Sequence, residues 1–111
     1  MITREELNNI ISSDENYRIE RTISVNDMDK FQEAICAFAN DMSGSRQKGY
    51  LLIGVKDNGD ISGLQVTDAL MKKISSIRSD GNILPLPMMT TEKITTEQGD
   101  VLVVEVTPSF D

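Results

Sequence analysis

The chain has 111 residues, 39% hydrophobic and 26% charged, and its 18 Asp and Glu outweigh 11 Lys and Arg to give a formal net charge of −7. This length suits one compact domain, and the net acidity opposes indiscriminate adhesion to polyanions, so any nucleic-acid binding requires a local basic patch. A lone cysteine, Cys36, and no histidine exclude an internal disulfide, every Cys/His zinc pattern and imidazole chemistry, leaving carboxylates, Lys, Tyr or Cys as acid–base groups and oxygen-bound hard cations as metals.

Thr3 and Glu6 have capping-box spacing, and Leu7, Ile10 and Ile11 share a helical face, which predicts a short helix over residues 4 to 12. A polar turn follows. Residues 18 to 25 then alternate, with Ile19, Ile23 and Val25 on one side and Glu20, Thr22 and Ser24 on the other, the pattern of a half-buried strand in which Arg21 sits among the apolar positions. Asn26 and Asp27 can cap a second helix over about 28 to 41, with Phe31, Ile35, Phe38 and Met42 as its inner stripe. The segment 43 to 49 is a glycine-bearing loop with two cations, Arg46 and Lys48.

Tyr50 to Val55 is an uninterrupted apolar run, suited to a central strand covered on both faces. Asp57-Asn58-Gly59-Asp60 is turn chemistry, and residues 61 to 64 can return as a brief strand. Thr67 caps a third helix with Leu70, Ile74 and Ile77 facing inward and Lys72, Lys73 and Arg78 facing solvent. Pro85 and Pro87 interrupt regular structure, after which residues 89 to 96 and 101 to 106 read as two strands joined by a turn. The order α-β-α-β-β-α-β-β predicts an α+β domain spanning residues 1 to 111, with helices packed on a mixed or antiparallel sheet. The chain stops just after a strand, which reads as a fragment of a longer protein. No apolar signal region or membrane-length run is present, so a cytoplasmic location is expected.

Gly54, Gly59 and Gly63 fit neither a dinucleotide fingerprint nor a phosphate loop and read as hairpin and bulge glycines. Cys36, among Ile35, Ala37 and Phe38, reads as a small core residue. The cations of the 43 to 49 loop and of the third helix are either ordinary solvated charge or a phosphate-binding surface. Glu15, Glu20 and Asp57 form the acidic set that, if convergent, would hold Mg²⁺ or Mn²⁺ and activate water at a phosphodiester.

Ala34-Ile35-Cys36-Ala37-Phe38-Ala39-Asn40, then Gly49 through Asp57-Asn58-Gly59, then Ile61-Ser62-Gly63-Leu64, together resemble the Schlafen-type AlbA-like domain. Ile83-Leu84-Pro85 and the Val-rich final strand ending at Pro108 extend the similarity over roughly residues 10 to 109. The resemblance implies an α+β nucleic-acid-binding module of the kind found at the N-terminus of bacterial transcriptional regulators that carry a divergent AAA ATPase region elsewhere in the chain. Some animal relatives cut RNA with two glutamates and an aspartate at positions matching Glu15, Glu20 and Asp57. Here, however, the element ends Glu20-Arg21-Thr22 instead of the usual Glu-Phe-Lys.

The leading expectation is a DNA- or RNA-binding module without catalysis or cofactor, in which Arg46, Lys48, Lys72, Lys73 and Arg78 contact phosphates and Asn40 orders the loop or meets the ligand. A divalent-metal-dependent RNase using Glu15, Glu20 and Asp57 and a self-association domain are the alternatives.

Overall fold

The computed structural model describes residues 4–12, 18–40, 48–79 and 88–108. Its elements in chain order are α1 (Arg4–Ser12), β1 (Arg18–Thr22), α2 (Met28–Asn40), β2 (Gly49–Ile53), α3 (Asp68–Ser75) with a 3-10 turn over Ser76–Ser79, β3 (Met88–Thr96) and β4 (Gly99–Thr107). The four strands form one mixed sheet in the order β1-β2-β4-β3, with β1 parallel to β2 and the other pairings antiparallel.

The sheet has a core on each face. Side chains alternate across a strand, so the apolar run of β2 sends Leu51 and Ile53 to one side and Leu52 to the other. β4 divides in the same way, with Leu102, Val104 and Val106 on the first side and Val101 and Val103 on the second. The larger core joins the first set to Phe31, Ile35 and Phe38 of α2 and Leu70 and Ile74 of α3. The smaller one joins the second set to Leu7 and Ile10 of α1. Each fully buried side chain of this kind stabilises the fold by roughly 1.5–3 kcal/mol relative to an exposed one.

Two helices start where the sequence supplies an oxygen. The Asp27 Oδ1 accepts from the Lys30 amide at 3.1 Å ahead of α2, and Thr67 Oγ1 accepts from the Leu70 amide at 3.2 Å at the head of α3. The return expected over residues 61 to 64 is reduced to a single antiparallel bridge between Val55 and Ile61. Gly54, Gly59 and Gly63 all adopt positive φ. At Gly54, φ is +105° and its amide donates to Thr22 O at 2.7 Å, so the chain turns sharply off the end of β2 while still tied to β1.

β1 is shorter than its alternation predicts. It ends at Thr22, and Ile23 is 58% exposed rather than inward-facing. Thr22 Oγ1 accepts from the Ser24 amide at 3.1 Å, and Ser24 Oγ accepts from the Asn26 and Asp27 amides at 3.3 and 3.2 Å. These hydroxyls offer the backbone local partners that replace a sheet ladder. Ile19 and Val25 consequently pack against opposite cores.

Candidate nucleic-acid interface

The buried stripe of α3 determines where its cations go. Leu70 and Ile74 are four residues apart on the face against the sheet, and Ile77 of the following turn joins them in the core, which leaves Lys72 and Lys73 exposed in the last helical turn. Positive charge there also suits the helix dipole. Neither lysine forms an ion pair with a described residue. Arg78 follows directly in the 3-10 turn; its side chain lies outside the described residues.

Beside Lys73 is a cleft of about 250 Å³ between α3 and the segments on either side of it in space. Its floor is apolar, formed by Val25, Leu64 and Leu70, and Asn26, Gln65 and Thr67 stand around it. The segment carrying Leu64 and Gln65 is irregular. It is held by Asp100, whose Oδ2 accepts from the Val66 amide at 2.9 Å and whose own amide donates to Leu64 O at 2.7 Å. The Val66 hydrogen bond lowers the Asp100 pKa against the opposing effect of burial, helped by a hydrogen bond from Thr95 and the charge of Lys93.

The remaining expected ligand contacts are dispersed. Lys48 donates to Glu105 Oε1 at 3.1 Å, and this hydrogen bond and the carboxylate's charge raise its pKa. Glu105 is directly opposite Tyr50 and so lies on the α1 side of the sheet, across from α3. Lys48 is therefore charge-compensated and separate from the α3 lysines. Asn40 ends α2, and its Nδ2 donates to Cys36 Sγ at 3.3 Å. Cys36 is half-buried against the larger core. Arg46 lies outside the described residues.

The acidic set is not gathered by the described residues. Glu20 faces the α2 side and pairs with Lys30 at 3.4 Å. Asp57 sits exposed in a turn closed by hydrogen bonds from the Lys56 amide to Asp60 O at 2.8 Å and from the Gly59 amide to Lys56 O at 2.9 Å. That turn borders Ile11 of α1. Glu15 lies outside the described residues, and among those described no cluster of three or more His, Cys, Asp or Glu side chains has metal-holding geometry.

Sequence reading missed the cleft and the Lys48–Glu105 pair. Both depend on segments far apart in the chain, and the irregular stretch 62 to 67 has no periodicity to mark it. The Gly63-to-Thr67 run, with an amide between apolar residues just ahead of a helix cap, was the available signal.

The family model described as Schlafen, AlbA_2 matches residues 15–111. The chain belongs to the Schlafen AlbA_2 family. That match takes in β1 through β4 and includes α3, both lysines and the whole cleft, while α1 precedes it. Among solved structures, this AlbA_2 domain is similar to the solution NMR structure of the N-terminal domain of a RecG-related protein from Nitrosomonas europaea, a candidate ATP-dependent DNA helicase. The identity is 28%, the TM-score 0.59, and the similarity covers 99% of this chain and 76% of that one. No curated protein matches the chain. No helix among the described residues is long and apolar enough to cross a membrane.

Proposed function

We propose that this AlbA_2 domain is a nucleic-acid-binding module of a transcriptional-regulator type of protein, with Lys72, Lys73 and Arg78 contacting backbone phosphates. The observation that carries this reading is an exposed lysine pair that forms no ion pair with a described residue, on a chain of net charge −7. Membership of the AlbA_2 family and similarity to a domain of a helicase-related protein support it. Lysine contacts to phosphate supply affinity and orientation and carry no base information. Binding by this route needs neither metal nor cofactor.

Neutralising phosphates releases counterions, so the logarithm of affinity falls linearly with the logarithm of salt, by about 0.9 per contact on duplex DNA. The double variant Lys72→Ala/Lys73→Ala should therefore bind a labelled oligonucleotide more weakly and reduce the salt slope by about two. Wild-type binding that ignores salt, or an unchanged slope in the variant, would remove α3 from the interface.

A further inference from the structure

Resting on the nucleic-acid reading above, we propose that the cleft beside Lys73 seats one unstacked nucleobase of a single strand, with the adjoining phosphate on Lys73. Three independent features of the cleft favour this occupant.

Its floor of Val25, Leu64 and Leu70 is apolar, and a base removed from its stack needs such a surface against its flat faces. Asn26 and Gln65 stand exposed at the margin, and neither side-chain amide is hydrogen-bonded to a described residue. A primary amide presents a donor and an acceptor together, the pairing that reads a base edge. The third feature is charge. Among the described residues that line the cleft, Lys73 is the charged one, although Asp and Glu outnumber Lys and Arg by 18 to 11 along the chain. A described lining that includes a lysine and no carboxylate favours an anionic partner over a cationic one.

Charge on α3 alone would serve a duplex and a single strand alike. The cleft adds a preference, because a paired base cannot enter it without paying to leave its helix. The domain is thus a binder of single-stranded or unpaired nucleic acid that holds the backbone at Lys72 and Lys73 and samples one base between Gln65 and Asn26.

The test measures fluorescence anisotropy of the 111-residue chain with a short labelled single strand, the same strand with abasic positions, and the matching duplex. The single strand should bind about tenfold more tightly than its abasic counterpart, the scale of one base contact. Ala69→Leu enlarges an exposed residue of the cleft wall and should lower single-strand affinity by a similar factor while leaving duplex affinity unchanged. Gln65→Ala, in an irregular and exposed position, should reduce discrimination among bases and decides the matter if Ala69→Leu perturbs the fold as seen by circular dichroism.

Equal affinity for intact and abasic strands, or an Ala69→Leu variant that folds and binds single strands like wild type, overturns the base seat. Either result leaves the phosphate contacts standing if the salt slope persists. Absence of binding to all three oligonucleotides at low salt overturns the nucleic-acid reading and the base seat together.

Discussion

Among the described residues, Asp100 is the charged side chain that the fold buries, and it does so at the point where β4 meets the irregular segment bordering the cleft. A carboxylate whose pKa is lowered on folding contributes stability at pH values above its unfolded pKa. That contribution is lost as the pH falls through the folded value. The domain is therefore expected to lose thermal stability in acid partly through protonation of Asp100. Asp100→Asn removes the charged acceptor. It should melt lower than wild type at pH 7, and the gap should narrow as the pH is brought to about 3. Thermal melts of the two proteins across that range check it, and a gap that stays constant would mean that Asp100 acts by packing alone.

Between α2 and β2 the contact is close enough to specify a residue. Gly49 opens β2 against Phe38, and a Cβ built at Gly49 would fall on the Phe38 ring. Gly49→Ala should consequently destabilise by about 1–3 kcal/mol through overpacking, and Phe38→Leu in the same chain should restore part of the loss. Urea unfolding of the two single variants and the double variant measures the coupling, and strict additivity would place the strain elsewhere. Nothing in the glycine's sequence neighbours announced this constraint; the ring that imposes it is one helix away.

The helices were legible because their signals are local. Phe31, Ile35 and Phe38 repeat at helical spacing, and Thr67 precedes the Leu70–Ile74 stripe. β1 was overextended because alternation alone cannot register that Thr22 and Ser24 hydroxyls capture the next amides. In the candidate site, Lys72 and Lys73 could be placed from helix phase. Lys48 could not, since its partner Glu105 is brought beside it only by the β2–β4 pairing.

Over the complete domain, the two cores share one wall. β2 and β4 are central strands that contribute to both, whereas β1 and β3 are edges with partners on one side. Amides of β2 and β4 should therefore exchange slowest with deuterium, near the rate set by global unfolding, and those of β1 and β3 faster. Hydrogen exchange read by NMR tests this ordering; slowest exchange in β3 would contradict it. The same architecture places Lys72 and Lys73 on one side of the sheet and the compensated Lys48 on the other, so the proposed attraction to an anionic polymer would be directional even though the net charge is −7.

β2 is wedged between β1 and β4, yet β4 follows it in the chain only after α3 and β3. A ribosome therefore delivers the sticky Leu51-Leu52-Ile53 segment long before the Val-rich strand that will shield its flank. Until that late arrival, a nascent copy presents an open, β-prone edge to its surroundings, the sort of edge that invites clumping.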